Sequence, residues 1–341
     1  MNSESESNLR TSLKAQLTIL EILSDAEYED YILRLFDYQY KYNAIYQDYC
    51  KDLGKTIESI TDTSQIPYLP ISAFKHHSVK TGAYDAVTFF QSSGTTAITQ
   101  RSQAHVREMD LYLDNATRIF TDYFGSPTDF CFLALLPNYL RQGHSSLVAM
   151  VAHFQSLSKY DQSNFYLDDT RGLADALYEC KTEGIPTVLF GVPYALMDFM
   201  ECYETDFPHL IIIETGGMKG RRAELDKYDL HAALSKGFGT EHIVSEYGMT
   251  ELFSQAYAVE DGVFNNSRRL NISIHQINDP LTIEKNGKVG IITIMDLANI
   301  DTCAFIQTED LGILRHDGTF MIAGRLDVSD IRGCNLMVQE I

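Results

Sequence analysis

What this chain lacks narrows its identity first. No stretch approaches the roughly 18 apolar residues that a membrane span requires. The opening residues, Met1-Asn2-Ser3-Glu4-Ser5-Glu6-Ser7, have neither the basic start nor the apolar segment of a secretory signal. The six cysteines, at 50, 131, 180, 202, 303 and 334, show no CxxC spacing, so a zinc site or a disulfide frame is not expected. Basic residues are few: 27 Lys and Arg face 47 Asp and Glu, for a net charge of -20. Phosphate backbones and anionic lipid surfaces repel such a chain, which argues against nucleic acid and membrane as partners. The expectation is a cytoplasmic, globular protein with reduced thiols. Any positive charge needed to hold a nucleotide must be local or arrive with a metal.

What is present fits one large or two ordinary domains in 341 residues, 45% of them apolar. Residues 8–50 carry helical spacing through Leu9, Leu13, Leu17 and Leu20, continued by Tyr31, Leu35, Phe36 and Tyr40. The tyrosines of this stretch read as helix-packing contacts. Pro67 and Pro70 mark an extended linker. Beyond them strands and helices alternate. Val106, Met109, Leu113, Ala116 and Phe120 form one helical face, and Leu147 to Phe154 another. The runs 130–136, 187–190 and 210–213 read as buried strands. Alternation of this kind predicts an α/β fold whose mostly parallel sheet is covered by helices on both faces. After about residue 258 the strands shorten, and Asn286-Gly287 reads as a hairpin turn between two of them. The expected divisions are a helical region 1–80, an α/β core 81–258, a small β subdomain 259–325 and a tail 326–341.

Four segments carry chemistry. Ser92, Ser93, Gly94, Thr95 and Thr96 follow the apolar run ending at Phe90, and such a turn offers amides and small hydroxyls to phosphate oxygens. Gly216 and Gly217 follow an apolar strand. Ser245-Glu246-Tyr247-Gly248-Met249-Thr250-Glu251 forms the third segment. The fourth runs from Asp310 to Arg325 and Asp327, with Arg332, Gly333 and Cys334 beyond. Each alone also fits an ordinary loop or turn.

Together, over about residues 85–335, these segments resemble the adenylate-forming superfamily, and most of all its LuxE-type acyl-protein synthetases. Leu136-Pro137-Asn138-Tyr139-Leu140 and Ser145-Ser146-Leu147-Val148 add to the second likeness. The resemblance implies ATP and Mg²⁺, a fatty or aryl acid as substrate, and transfer of the acyl group to a thiol. It implies that the Ser/Thr turn cradles phosphates, that Gly216, Gly217 and Tyr247 line the adenine, and that Thr250 and Glu251 serve an α-phosphate oxygen and the metal. Asp310 would take the ribose hydroxyls, and Arg325 ribose or phosphate. Asp327 stands at the hinge of the superfamily's C-terminal domain. That domain, with its bridging lysine, is expected to be missing here. The superfamily's lysine after the Ser/Thr turn is absent too, and Arg101 is the candidate for its countercharge. Cys334 matches the cysteine that carries the acyl group in LuxE proteins before a reductase takes it. Alternatives are an acyl- or aryl-CoA ligase of the phenylacetate–CoA ligase kind and a non-catalytic scaffold. His144 is a candidate for the acyl pocket beside Tyr139, and His153 reads as structural. No Ser/His/Asp order suggests a hydrolase.

Overall fold

The computed structural model describes residues 3–92, 101–137, 143–216 and 225–326. Three helices open it: α1 (Ser3–Leu17), α2 (Asp25–Tyr42) and α3 (Ala44–Asp52). Ser24 and Glu27 close a capping box at the start of α2, satisfying two amides that the helix itself cannot. Asn43 ends α2 and caps α3, accepting from the Tyr46 amide at 3.1 Å. Tyr31, Tyr38 and Tyr46 are buried, and Tyr31 and Tyr46 send their hydroxyls to the carbonyls of Leu297 and Pro67.

The helices cover a buried loop. Residues 297–304 link two strands while Leu297, Ala298, Ile300 and Cys303 lie out of solvent. A buried loop must find partners for its backbone. Gln39 donates to the carbonyls of Asn299 and Ile300 and accepts from the Ala304 amide, while Asn43 donates to the Thr302 carbonyl. Arg10 from α1 grips the buried Asp301 with two bonds of 2.6 Å. The first 50 residues are thus built into the β region of the molecule.

The chain continues through β1 (Leu69–Pro70), the single turn α4 (Ala73–His76), the hairpin strands β2 (Thr88–Gln91) and β3 (Gln103–Val106), and α5 (Met109–Phe124). Then strands and helices alternate: β4 (Cys131–Leu135), α6 (Ser146–Leu157), β5 (Asn164–Phe165), α7 (Thr170–Glu183), β6 (Thr187–Gly191), α8 (Pro193–Cys202), β7 (Ile211–Thr215), α9 (Lys227–Phe238), β8 (Ile243–Tyr247) and β9 (Ala256–Ala258). Their sheet runs β5-β4-β6-β7-β8-β9, parallel from β5 to β8, with β9 antiparallel at the edge. Every residue of β4 and β6 is buried, which is why those strands read as continuous apolar runs.

A second sheet follows, formed by β10 (Val263–Phe264), β11 (Leu270–His275), β12 (Val289–Asp296), β13 (Phe305–Leu314) and β14 (Phe320–Arg325), in the order β10-β14-β13-β12-β11. The segment 67–70, read as a linker, supplies β1, which pairs in parallel with β13 through Leu69–Ile306 and Pro70–Gln307. Among the described residues no helix is long and apolar enough to cross a membrane.

Two expectations are corrected. Val106 lies on β3 and the helix starts at Met109; its fully buried face is Tyr112, Asn115, Ala116, Ile119 and Phe120, with Met109 and Leu113 partly buried beside it. Asn286-Gly287 does turn, with Gly287 at φ 82°, but it does not join β11 to β12 directly. The register puts His275 opposite Ile291, and residues 276–288 make a longer excursion between the strands. The hairpin reading failed because a local dipeptide cannot show that Ile283 bridges back to His275.

Candidate functional site

A cleft of about 720 Å³ opens beyond the carboxyl ends of β7 and β8, where ligands of open α/β sheets bind. The second sheet forms its far wall through Asp310 and Arg325. Ser92, Gly216, Tyr247, Thr250, Glu251, Asp310 and Arg325, all singled out from sequence, line it. Ser93, Gly94, Thr95, Thr96, Gly217 and Cys334, like Tyr139 and Asp327, fall outside the described residues.

At one end the feet of the Ser/Thr turn meet Glu251. Ser92 and Ser102 face each other across the mouth of the hairpin: the Ser102 amide donates to Ser92 Oγ at 3.2 Å, and the Ser92 amide to the Ser102 carbonyl at 3.1 Å. The Ser102 side chain and the Glu251 carboxyl line the same end of the cleft, near enough for Ser102 to favour the charged form of Glu251. Glu251 is 5% exposed. Burial pushes its pKa above the usual carboxylate range, opposed by the nearby Ser102 side chain and the charges of Lys75 and Arg325. Its loop is fixed from behind. Asn299 donates to the Glu251 carbonyl at 2.7 Å, and the buried Asp296 accepts the amides of Phe253 and Ser254 and the Ser254 hydroxyl. A carboxylate on so pinned a loop is already oriented.

At the other end Tyr247 and Asp310 are joined. The Tyr247 hydroxyl donates to Asp310 Oδ2 at 2.9 Å, and its ring stands edge-on to Phe264 and Phe320. Desolvation raises the pKa of Asp310, which the Tyr247 bond opposes. Gly216 takes φ 79°, a left-handed turn that glycine adopts without penalty and that brings backbone to the cleft wall. Arg325 pairs with Glu309 at 3.1 Å, and Lys75 approaches the same carboxylate at 3.6 Å.

The cations differ from expectation. Among the described residues, Lys75, Lys227 and Arg325 line the cleft; Arg101, half-buried beside Ser102, does not. Lys227 is engaged with the buried Glu214, which also accepts from Ser245 and lies 3.4 Å from His231 Nε2. Lys75 was missed because a lysine on one helical turn looks like a surface residue. The Ile71 amide donates to the Gln307 carbonyl of β13 at 2.8 Å and Phe74 is buried, which holds α4 near the cleft. Glu246, part of the third segment, was given no role from sequence. It lines the cleft between Gly216 and Tyr247 and accepts from the Thr215 hydroxyl, and desolvation raises its pKa to about 7.

The remaining wall is largely apolar: Tyr112, Leu147, Met150 and Leu252, with Ser145 and Ser146 at the start of α6. His144 is not part of it. Its ring stacks on Phe89 at 4.1 Å, on the hairpin side. His153 meets Thr117 Oγ1 at 3.1 Å, a structural contact.

Similarity to known proteins agrees with this geometry. Two solved adenylate-forming ligases share the fold. The open conformation of 2-hydroxyisobutyryl-CoA ligase, solved with 2-HIB-AMP and CoA, superposes with a TM-score of 0.66 at 12% identity, over 90% of this chain and 71% of that one. ATP-bound MatB from Rhodopseudomonas palustris gives 0.54 at 19% identity, over 72% of this chain and 49% of that one. In sequence, the long-chain-fatty-acid–luciferin-component ligase of Vibrio harveyi is 24% identical over 329 residues, covering 89% of this chain and 85% of that protein. The protein of the same name from Aliivibrio fischeri is 22% identical over 342 residues, covering 92% and 89%. The family described as acyl-protein synthetase, LuxE, matches residues 23–341, and this chain belongs to it.

Proposed function

We propose that this chain activates a carboxylic acid with ATP and passes the acyl group to a thiol. One carboxylate oxygen attacks the α-phosphorus, the bond to the bridging oxygen breaks, and pyrophosphate leaves. The observation that carries the reading is the meeting of Ser92 and Ser102, at the feet of the hydroxyl-rich turn, with Glu251 in a cleft that also holds Thr250, Tyr247 and Asp310.

The protein's part is alignment and charge. Thr250 would donate to an α-phosphate oxygen, and Asp310 would accept from the ribose hydroxyls. Lys75 takes over the countercharge role first given to Arg101, because its ammonium lines the cleft close enough to Glu251 to act on its charge. Preorganised charge of this kind stabilises phosphoryl chemistry without reorganisation at the moment of reaction.

Glu251 would hold Mg²⁺. Among the described residues no three His, Cys, Asp or Glu side chains converge. A single buried carboxylate fits this ion, which commonly takes one or two carboxylates and completes its shell with substrate phosphates and water. Bound there, it would neutralise charge building on the phosphates.

The acid is proposed to be fatty. The apolar wall of Tyr112, Leu147, Met150 and Leu252 suits an alkyl chain, and the named relatives are long-chain-fatty-acid ligases. Cys334 is the proposed acceptor, with a reductase or carrier thiol downstream. The test is acid-dependent ATP–pyrophosphate exchange over a panel of acids, with and without CoA, followed by mass spectrometry for acyl-Cys334. Exchange with long-chain acids that is independent of CoA and lost in Glu251→Gln is expected. Undiminished exchange in that variant would remove Glu251 from the metal.

A further inference from the structure

We infer that Asn299 is a positioning residue for the metal carboxylate: its side chain fixes the peptide of Glu251 and so sets how tightly Mg²⁺ is held. This rests on the reading of Glu251 as the Mg²⁺ ligand.

Asn299 lies in the buried loop 297–304 and is not among the residues that line the cleft. Its amide group has one arrangement open to it. The Glu251 carbonyl can only accept, so Asn299 Nδ2 faces it, donating at 2.7 Å. Oδ1 then accepts from the Thr302 hydroxyl. The backbone of Asn299 is held as well. Its amide donates to the Asp296 carbonyl at 3.0 Å, and Gln39 of α2 donates to its carbonyl at 2.9 Å. Asn299, Thr302 and Gln39 are fully buried. A line of hydrogen bonds therefore runs from the helical cover to the backbone of the residue whose carboxyl would hold the metal.

The residues after Glu251 are secured from other sides. Asn115 of α5 donates to the Phe253 carbonyl at 2.8 Å and to Ser254 Oγ at 2.9 Å, and Asp296 takes the amides of both. Among the described residues, Asn299 supplies the side-chain bond to the backbone of Glu251 itself. Mg²⁺ demands near-ideal octahedral geometry, so the angle at which its carboxylate is offered matters. Were Asn299 present only to satisfy a buried carbonyl, its removal would cost stability and leave the metal requirement alone.

The test measures how much Mg²⁺ the protein needs, in ATP-dependent thermal stabilisation titrated with Mg²⁺ and in the Mg²⁺ dependence of pyrophosphate exchange. Asn299→Ala is expected to raise the half-saturating Mg²⁺ concentration roughly 10-fold in both. Thr302→Val keeps the shape of its side chain but frees Asn299 Oδ1, and should give a smaller rise in the same direction. Phe199→Leu loosens α8 against Phe238, away from the cleft, and should lower the melting temperature with the Mg²⁺ requirement unchanged. A folded Asn299→Ala with the wild-type requirement would overturn the assignment. Thr302→Val decides alone if Asn299→Ala does not fold. An equal rise in Phe199→Leu would also overturn it, since any loss of stability would then suffice. Glu251→Gln separates the two readings. If that variant loses its response to Mg²⁺ while Asn299→Ala keeps it unchanged, the positioning role falls and Glu251 stays on the metal. An unchanged response in Glu251→Gln removes both.

Discussion

The Tyr247 hydroxyl reaches Asp310 Oδ2 at 2.9 Å, so the last parallel strand of the first sheet is tied to the middle of the second. The bond sets the position of the proposed ribose acceptor from the strand that carries the proposed adenine contact. Tyr247→Phe keeps the ring and removes the donor. It should cost ~1–2 kcal/mol in denaturant unfolding, since a desolvated carboxyl loses its partner. The KM for ATP should rise together with that loss. An unchanged KM would detach Asp310 from the nucleotide.

Lys75 gives a contrasting result. Its pair with Glu309 spans 3.6 Å and is partly exposed, so it contributes little to folding. Lys75→Met should leave the urea midpoint almost unmoved while lowering kcat/KM for ATP by roughly 10-fold or more. Lys75→Arg should recover part of the loss. A variant that exchanges pyrophosphate normally would return the search for the countercharge to residues outside the described set.

The grip of Arg10 on Asp301 belongs to folding alone. Asp301 is fully buried, and the next cation, Arg107, stands 3.7 Å away. Arg10→Ala should lower stability by ~3–5 kcal/mol, because it leaves a buried charge poorly compensated. A loss below ~1 kcal/mol in urea titration would mean the pair behaves as a surface contact.

Glu246 ties stability to pH. Its pKa is about 7 in the folded chain against an ordinary 4.5. The folded state therefore holds the proton more tightly, and the stability linked to it is complete below about pH 4.5 and lost as pH rises through about 7. Glu246→Gln escapes that loss. It should match wild type at about pH 4 and exceed it by ~1–2 kcal/mol at about pH 8, a figure reduced for the group's partial exposure. Melting curves across this range would show the divergence, and parallel curves would contradict it.

The parts of the site legible in the sequence share one property: they follow strands that announce themselves. The apolar run 210–213 leads to Gly216, and Ile243-Val244 leads to Tyr247, Thr250 and Glu251, so a loop at the sheet's carboxyl end could be placed by counting. The α/β alternation was readable for the same reason. Lys75 and Glu246 were not readable, because their roles depend on tertiary neighbours. Lys75 reaches the cleft through the parallel pairing of β1 with β13, a contact more than 200 residues apart in sequence. Glu246 is distinguished by its desolvation beside Thr215, which no residue letter reveals. Arg101 was chosen by distance along the chain from the Ser/Thr turn; it is half-buried beside Ser102 and is not among the residues that line the cleft.

The cover over residues 297–304 has a consequence for biosynthesis. Tyr46 stacks on Phe305 at 6.0 Å, and Phe36 stands edge-on to the same ring at 6.3 Å. These aromatics leave the ribosome early, and the residue that shields them is made some 260 positions later. For most of translation the nascent chain therefore carries an uncovered aromatic surface, the kind that chaperones bind and that aggregation exploits.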